Sequence, residues 1–265
     1  MKNFKTTYYQ IPLDHEIYRP FQKIRIVLLS DLHNQVYGPD NSVLLAGIRQ
    51  LKPDLILAAG DILNCEPKRR EDAALSVMTK LAKVYPVYYG NGNHEYRMKL
   101  DTQTFGLRYA GYAKHLRAAG VYLLENEWAD ISLKGMRFRI YGLELPWRFY
   151  QRTCRERLTA AQMEQLLGKK KGERYGLLIA HNPVHFPAYA AWGADLTVSG
   201  HLHGGFVRLP LLGGVVSPQF RLFPKYARGV FEEKGKFMAV STGIGTHSML
   251  PRLGNPTEVV VLDLF

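Results

Sequence analysis

Residues that can bind a metal ion recur at one kind of position in this sequence, directly after a short apolar run. The clearest case is Gly200-His201-Leu202-His203, which follows the run 194–199. Side chains spaced i and i+2 point to the same side of an extended chain, so both imidazoles can face one site. A single His-x-His pair is weak evidence for a metal site, and its weight depends on what the other apolar runs lead to.

Four earlier apolar runs also end in metal-binding residue types. They cover residues 23–29, 54–59, 84–89 and 175–180, and they lead to Asp31 and His33, Asp61, Asn93 and His94, and His181. Five of the nine histidines lie at the ends of the five runs, which a random scatter of histidines does not explain. Taken alone, Asp31 and His33 fit a strand-end turn beside a surface histidine equally well. The repetition is what predicts one common site.

The elements between these residues place them at one edge of a sheet. The runs 23–29 and 54–59 are typical of buried strands, and residues 41–51 between them have a helical apolar period. This order predicts a right-handed crossover, which brings Asp61 close to Asp31. Ligands bind beyond the carboxyl ends of strands in such sheets, and two carboxylates there repel each other unless a cation lies between them.

The rest of the chain predicts a mixture of helices and strands. Further helices are predicted at 70–83, 105–119 and 159–167, and further strands at 84–89, 121–124, 130–133, 136–143, 175–180, 194–199, 236–241 and 258–264. We expect the middle strands, from 121 to 143, to form antiparallel sheet, because Lys134-Gly135 is a hairpin-like turn. Gly90 and Gly92 allow a tight turn that exposes Asn93 and His94.

The donor types indicate which ions the site prefers. The seven candidate ligands are Asp31, His33, Asp61, Asn93, His181, His201 and His203. Carboxylate, amide oxygen and imidazole together suit Mn, Fe or Zn better than Mg or Ca, which prefer oxygen ligands. Seven donors exceed what one ion needs, so two ions that share a bridging carboxylate fit better, and Asp61 is the natural bridge. Ions roughly 3.5–4 Å apart hydrolyse phosphate esters by holding the phosphoryl group and lowering the pKa of a bound water.

Composition and charge bound the kind of protein. The chain has 265 residues, 46% of them hydrophobic, and no linker-like tract, which predicts a single domain over residues 1–265. Two cysteines make no disulfide framework, and we find no signal peptide or membrane-spanning run, so we expect a cytoplasmic protein. The formal net charge of +12 favours anionic partners such as phosphate compounds, nucleic acid or an acidic lipid surface.

The run ends resemble, in order, the five sequence blocks of the calcineurin-like metallophosphoesterases. The blocks are Asp31-Leu32-His33, Gly60-Asp61, Gly92-Asn93-His94-Glu95, His181 and Gly200-His201-Leu202-His203. Segments 181–183, 199–205 and 241–246 are similar to the bacterial YkuE/YaeI-like branch of that family, which extends the resemblance to almost the whole chain. The resemblance implies an α/β fold of four layers, an αββα sandwich of two mixed β-sheets flanked by helices.

The resemblance also implies a role for each residue. One metal ion would be bound by Asp31, His33, Asp61 and His203, and the other by Asp61, Asn93, His181 and His201. His94 would be catalytic rather than a ligand, stabilising the transition state or protonating the leaving oxygen, and Glu95 would orient His94. The implied activity is hydrolysis of phosphate mono- or diesters by water that the metals activate, with lipid-linked or nucleotide-type compounds as candidate substrates.

Two departures from the family pattern bear on function. Asn64 stands where the family often has a second acid after the Gly-Asp block, which should leave metal binding intact but change the tuning of Asp61. Members of the branch often carry an export signal or a membrane anchor. This chain shows neither, which argues against an extracytoplasmic, cell-wall role.

Two other functions stay open at this point. A non-catalytic, metal-bound scaffold for anionic lipid or a protein partner would use the same ligands without hydrolysis. Peripheral contact with an anionic membrane would use the basic surface and the aromatic and basic cluster from Trp147 to Arg152, which fits a packed surface loop and a substrate-contacting rim equally well. Nucleic acid is not expected as a partner, because no binding module is recognisable and the charge is dispersed. The oligomeric state stays open.

Overall fold

Two large β-sheets and the helices around them account for most of the chain. The computed structural model describes residues 3–14, 17–68, 71–151, 153–205, 208–209, 213–214, 224–246 and 254–265. The strands are β1 Lys5–Ile11, β2 Ile24–Leu29, β3 Leu55–Ala59, β4 Val87–Gly90, β5 Tyr122–Leu124, β6 Glu127–Leu133, β7 Met136–Leu143, β8 Tyr175–Ala180, β9 Leu196–Ser199, β10 Arg208–Leu209, β11 Gly213–Gly214, β12 Gly229–Glu233, β13 Lys236–Val240 and β14 Glu258–Leu264. The α-helices are α1 Ser42–Leu51, α2 Asp72–Ala82, α3 Asn93–Leu100, α4 Thr102–Phe105, α5 Arg108–Ala118, α6 Ala160–Leu167 and α7 Phe186–Trp192. Turns of 3-10 helix lie at Pro39–Asn41, Trp147–Tyr150 and Pro183–His185.

The first sheet carries the strand ends that lead to Asp31, Asp61 and Asn93. Its order is β1-β14-β2-β3-β4-β5. Strands β2 to β5 are parallel, while β14 runs antiparallel to β2 and parallel to β1. All five residues of β3 are buried, as expected for a parallel strand covered on both faces. The carboxyl ends of β2, β3 and β4 therefore lie side by side.

The second sheet carries the strand ends that lead to His181 and His201. Its order is β12-β13-β9-β8-β7-β6. Strands β7, β8, β9 and β13 are parallel, and the antiparallel strands β6 and β12 form the two edges. Helices α6 and α7 make the connections between the parallel strands β7, β8 and β9. This sheet also has the strand-end arrangement in which α/β proteins bind ligands.

Three hydrophobic clusters show how the layers pack. One lies between the sheets, where Leu57 and Leu28 meet Leu177 and Val198. A second packs α1, α2 and α5 on the outer face of the first sheet, and a third packs α6 and α7 on the outer face of the second. The predicted four-layer αββα sandwich of two mixed sheets is confirmed. Among the residues that the structure describes, no helix combines the length and the apolar character that crossing a membrane requires.

Several predicted elements differ from those observed. The tight turn expected at Gly90 and Gly92 is wrong: β4 includes Gly90, and α3 begins at Asn93, because Glu95 accepts the N–H of Gly92 at 2.9 Å and so caps that helix. Strand β5 pairs parallel with β4, not antiparallel as predicted, and the helix expected at 105–119 is observed as α5, Arg108–Ala118. Strands β1 and β12 were not predicted.

Candidate metal centre

Strand ends from both sheets meet at one edge of the sandwich. The residues that follow β2, β3, β4, β8 and β9 include Asp31, Asp61, Asn93, His181 and His201. Two contacts join the sheets there: the backbone N–H of His201 donates to both carboxylate oxygens of Asp31 at 3.1 Å, and Nδ1–H of His181 donates to the carbonyl of Ala59 at 2.6 Å. The predicted proximity of residues from distant parts of the chain is therefore observed.

Asp31, His33 and His203 form what we call the first cluster, in which one donor atom of each lies within 4.8 Å of the others. Nε2 of His33 lies 3.3 Å from Nε2 of His203 and 3.9 Å from Oδ1 of Asp31. Nε2 of His203 lies 3.5 Å from the same oxygen. Two imidazole nitrogens and a carboxylate oxygen that converge in this way suit a transition metal ion.

Asp61, His181 and His201 form the second cluster by the same criterion, and all three are buried. Nε2 of His181 lies 3.1 Å from Oδ2 of Asp61, and the ring centroids of His181 and His201 are 5.0 Å apart. Because Nδ1–H of His181 is held by Ala59, Nε2 is the nitrogen available for a metal. Metal-bound histidines in proteins are usually oriented by such a bond.

Asp61 connects the two clusters. A third set of donors within 4.8 Å of one another consists of His33, Asp61 and His94, so each cluster contributes one member to it. Asn93 lies beside this set, since the next residue, His94, donates its backbone N–H to Oδ1 of Asp61 at 2.8 Å. The buried Oδ1 of Asn93 has no hydrogen-bond partner among the described residues. A buried acceptor without a donor is costly, and a cation would satisfy it, so the residues present fit metal binding.

Most of the candidate ligands have an unusual backbone conformation. The φ angle is 50° at Asp31, 49° at His33, 53° at Asp61, 70° at His201 and 50° at His203. This left-handed region is uncommon for residues other than glycine, although asparagine, aspartate and histidine adopt it more often than the other residue types. Backbone bonds hold it in place: the N–H of Asp31 donates to Gly60 at 2.9 Å, and that of His33 to Asp61 at 3.0 Å. Backbone strain of this kind is concentrated at functional sites.

Two glycines allow the close approach of these turns. A Cβ atom at Gly92 would collide with Asp61, and one at Gly200 would collide with the carboxylate of Asp31. Neither glycine has a positive φ, so space rather than backbone conformation excludes a side chain there. The glycines of the Gly-Asn-His and Gly-His sequences are therefore explained by packing against the two carboxylates.

The two carboxylates at the centre have opposite electrostatic environments. Burial, together with the negative charge of Asp61, raises the pKa of Asp31 to about 6. Burial would also raise the pKa of Asp61, but the charge of His181 and its hydrogen bond hold it well below its ordinary value. Asp61 therefore stays ionised among the imidazoles, whereas Asp31 is short of positive charge.

The two histidines of the second cluster also differ. Burial alone would lower the pKa of His181, but the carboxylate of Asp61, by charge and by hydrogen bonding, raises it to about 10. Burial and the neighbouring charge of His181 lower the pKa of His201 to about 3. In the protein without metal, one imidazolium therefore compensates Asp61, and His201 is a neutral donor, the form that metals bind.

Glu95 does not orient His94, so that prediction is wrong. The buried carboxylate of Glu95 accepts the N–H groups of Asp61 and Gly92 at 2.9 Å each, that of Leu63 at 3.2 Å, and the hydroxyl of Tyr89 at 2.5 Å. Burial and the charge of Asp61 raise its pKa to about 7. Glu95 thus holds the turn that carries Asp61, and its influence on the site passes through that carboxylate.

His94 is oriented by the backbone. Its Nδ1 accepts the N–H of Cys65 at 3.1 Å, and its Nε2 lies 3.9 Å from Oδ2 of Asp61. A neutral imidazole that accepts at Nδ1 carries its proton on Nε2. The proton on Nε2 therefore points toward the donors of the two clusters. Asn64, the residue before Cys65, donates its side-chain N–H to Glu66.

The cluster from Trp147 to Tyr150 forms a wall of the site. The ring of Tyr150 lies 5.6 Å from that of His201 and 6.4 Å from that of His181, measured between centroids. Trp147 packs at 6.4 Å from Tyr96, a residue of α3. These contacts favour the rim interpretation over a loop remote from the site. Arg152, the end of the predicted cluster, lies outside the described residues.

Two positioning contacts come from parts of the chain that the ligand pattern did not single out. The N–H groups of Ile244 and Gly245 donate to the carbonyls of Ser30 and Asp31 at 3.0 and 2.7 Å. Nδ2 of Asn255 donates to the carbonyls of His203 and Gly205. In the sequence, segment 241–246 shows only a similarity to one branch of the family, and nothing marks Asn255.

A sequence model of the calcineurin-like phosphoesterases matches residues 24–205, more than half of the chain. The chain belongs to the calcineurin-like phosphoesterase family. The resemblance seen in the five blocks is therefore confirmed, and so is the prediction of a phosphoric ester hydrolase of the metallophosphoesterase type. The matched range contains every candidate ligand, and the ligand clusters agree with the divalent-metal binding of this family.

Individual relatives lead to the same family. The metallophosphoesterase YkuE of Bacillus subtilis (strain 168) is 25% identical over 248 residues, covering 92% of this chain and 80% of YkuE. The phosphodiesterase YaeI of Escherichia coli (strain K12) is 27% identical over 243 residues, covering 91% and 82%. The crystal structure of phosphopantetheinyl hydrolase from Mycobacterium tuberculosis is 13% identical with a TM-score of 0.51, covering 84% of this chain and 89% of that one. That last likeness concerns the fold alone.

Proposed function

We propose that this chain is a dinuclear metal-dependent phosphoesterase that hydrolyses phosphate mono- or diesters by attack of an activated water. The observation that supports this most is the position of Asp61, whose carboxylate shares one set of donors with His33 and another with His181 and His201. A carboxylate with donors on two sides suits a bridge between two ions. The electron-rich donors on both sides favour two cations over one.

The ligand sets follow from the clusters. One ion would be bound by the first cluster and the bridge, that is by Asp31, His33, His203 and Asp61. The other would be bound by the second cluster and the amide of Asn93, that is by Asp61, His181, His201 and Asn93. Both sets mix oxygen and imidazole donors, which suits Mn, Fe or Zn. When bound, such ions would polarise the phosphoryl oxygens and lower the pKa of a water.

The chain's own residues would position and protonate the substrate. His94 can donate the proton on Nε2 to a phosphoryl or leaving oxygen, because its Nδ1 is occupied by the N–H of Cys65. Glu95 keeps the turn of Asp61 in place through its bonds to the backbone. Tyr150 covers the imidazoles of His181 and His201 and so limits access of bulk water from that side.

The substrate would be a phosphate ester, of lipid-linked or nucleotide type. A diester is supported by the relative YaeI, which is named a phosphodiesterase. We propose a cytoplasmic protein of one domain, with peripheral contact to an anionic membrane as a property to be tested on liposomes. Salt-sensitive binding to anionic vesicles supports that contact, and lack of binding at low salt contradicts it.

The test is hydrolysis by protein of known metal content. Metal-free protein is reloaded with Mn, Fe or Zn, its metal content is measured by elemental analysis, and hydrolysis of bis-4-nitrophenyl phosphate and 4-nitrophenyl phosphate is followed. We expect about two ions per chain, since two ligand sets share Asp61. We also expect turnover that Asp61→Ala and His201→Ala each abolish. Metal-replete protein that is inert on a broad panel of phosphate esters would contradict the proposal.

The scaffold function predicts a different result. A protein that binds two ions, hydrolyses no ester, and is unchanged in every measured property by His94→Ala would be a metal-bound scaffold. All the candidate ligands and His94 are present at one place, which favours the enzyme.

A further inference from the structure

A cavity of about 670 Å³ lies on the far side of the Trp147–Tyr150 wall from the metal centre. We call it the cationic pocket, and it is lined by Phe149, Arg155, Glu156, Arg157, His185 and Lys225, among others. Its volume is in the range of small-molecule sites in proteins. Most of the solvent-accessible surface of its lining is polar, unlike that of the groove lined by Met98 and Leu107.

The pocket has an excess of positive charge. Arg155, Arg157 and Lys225 are exposed, and none of them pairs with a carboxylate among the residues that the structure describes. The one acid in the lining, Glu156, is engaged elsewhere: Arg148 donates to it at 2.9 Å and Gln162 at 2.8 Å. Three cations therefore line a cavity in which the only carboxylate among the described residues is already paired, which suits an anionic ligand.

The pocket and the metal centre share a wall. Within the Trp147–Tyr150 turn, Tyr150 lies against His181 and His201, while Phe149 lines the pocket and packs on His185 with ring centroids 5.1 Å apart. His181 and His185 are four residues apart, so their Cα atoms are at most about 14 Å apart. The pocket and the second cluster are therefore neighbours on either side of one turn.

We propose that the cationic pocket binds a second phosphate group of the same substrate whose ester is hydrolysed at the metal centre. This rests on the proposed phosphoesterase function and narrows its substrate to compounds with two separate phosphate groups. The forked guanidinium groups of Arg155 and Arg157 suit a phosphate dianion, with Lys225 as a point charge beside them. The pocket thus selects the substrate, and the metal centre performs the reaction.

Two chromogenic substrates that differ only in the second phosphate test this. One is thymidine 5′-(4-nitrophenyl phosphate), and the other is the same compound with a 3′-phosphate. Release of 4-nitrophenolate is measured for both with protein reloaded with metal. We expect kcat/KM to be at least about tenfold higher for the 3′-phosphorylated compound, mainly through KM, as one charge-assisted hydrogen bond supports.

Variants of the pocket decide where the preference arises. The ratio of the two kcat/KM values should fall about tenfold in Arg155→Ala/Arg157→Ala and be largely retained in Arg155→Lys/Arg157→Lys, which keeps the charge. The control, Arg49→Ala/Arg137→Ala, removes two exposed arginines from α1 and β7 and should keep the ratio of the unaltered protein. The melting temperature and the metal content of each variant are measured beside those of the unaltered protein, so that a folding defect is recognised.

The outcomes separate this proposal from the function on which it rests. Hydrolysis of both compounds at equal kcat/KM, or an unchanged ratio in the alanine variant, overturns the pocket proposal and leaves the phosphoesterase intact. Inorganic phosphate that changes the rate with the single-phosphate compound, and loses this effect in the alanine variant, shows a free anion as the occupant and also overturns it. No hydrolysis of either compound by metal-replete protein refutes the phosphoesterase itself.

Discussion

In the second cluster the carboxylate of Asp61 lies 3.1 Å from Nε2 of His181. In the first cluster the imidazoles lie further from the carboxylate of Asp31, at 3.5 Å for His203 and 3.9 Å for His33, and Asp31 also accepts the backbone N–H of His201. The pKa values follow this difference, since that of Asp61 is held well below its ordinary value and that of Asp31 is raised to about 6. The second cluster is therefore compensated without a cation, through the Asp61–His181 pair, and the first cluster depends more on one.

The supports of the two clusters differ as well. The turn of Asp61 is hydrogen-bonded to Glu95, a residue of helix α3. The turn of Asp31 is bonded to Ile244 and Gly245, which come from the far end of the chain. The support of Asp61 thus comes from a residue 34 positions further along the chain, whereas the support of Asp31 is completed only when the C-terminal segment packs.

The largest predicted effect is the difference in metal content between a variant of Asp61, the proposed bridge, and a variant of Asp31, a ligand of one ion. Asp61→Asn should lose both ions, because this side chain faces both clusters, while Asp31→Asn should keep the ion of the second cluster. Activity should fall by at least about a thousandfold in each, since loss of a metal removes several kcal/mol of transition-state stabilisation. Elemental analysis and steady-state kinetics measure this. Equal metal contents in the two variants would remove the distinction between the clusters.

His94 tests whether the residue between the clusters is catalytic. His94→Asn should lower kcat by about 10²–10⁴-fold, as loss of a general acid does, and leave the metal content unchanged. The measurement is kcat with bis-4-nitrophenyl phosphate beside elemental analysis of the same sample. A variant that loses metal in proportion to activity would show that His94 is a ligand instead.

A variant of Glu95 tests whether the residues that hold the two clusters in place act on each cluster separately. Glu95→Gln keeps the size of the side chain but replaces one carboxylate oxygen by a donor, so the bonds from Asp61, Gly92 and Leu63 cannot all form. We expect the metal affinity of the second cluster to fall about 10–100-fold, with the first cluster less affected. Titration calorimetry with Mn²⁺ measures it, with Tyr89→Phe, which leaves the backbone bonds, as the matched control. Equal losses at both clusters would place the effect in the fold as a whole.

The smallest effect concerns pH. The pKa of His181 is raised from an ordinary 6.5 to about 10, so its contribution to stability is fully present below about pH 6.5 and is lost as pH rises toward 10. The lowered pKa of Asp61 acts at acid pH and leaves this window unaffected. Metal-free protein should therefore melt at a lower temperature at pH 9 than at pH 7, and His181→Asn should lose this slope. Metal-loaded protein should lack it too, because a metal replaces the proton.

The sequence predicts where the site lies better than it predicts which residues hold the ligands in place. Apolar runs that end in Asp31, Asp61 and His181 revealed the parallel strands and their common edge, because burial and strand-end chemistry are both local in sequence. Glu95 was assigned wrongly, since its neighbour in the chain, His94, is not its partner in space. Asn255 carried no signal at all, because a contact between residues 52 positions apart leaves no periodicity.

Gly92 shows that prediction from local sequence also fails for some structural elements. An Asn-Gly pair is typical of a turn, but here Gly92 is the residue that caps the start of helix α3. Its close approach to Asp61 leaves no room for a side chain. Strand β1 is also not predicted, since its pairing with β14 joins the two ends of the chain and six of its seven residues are at least partly exposed.

The left-handed turns at five candidate ligands have a consequence for the stability of the backbone. Glycine at His33 or His203 would relieve about 1 kcal/mol of backbone strain in each case. A chain selected for robustness alone would therefore drift toward glycine at these positions and lose its donors. At these positions backbone stability and metal binding are therefore opposed, and a thermostable but inactive variant of this protein would be recognised first by glycines there.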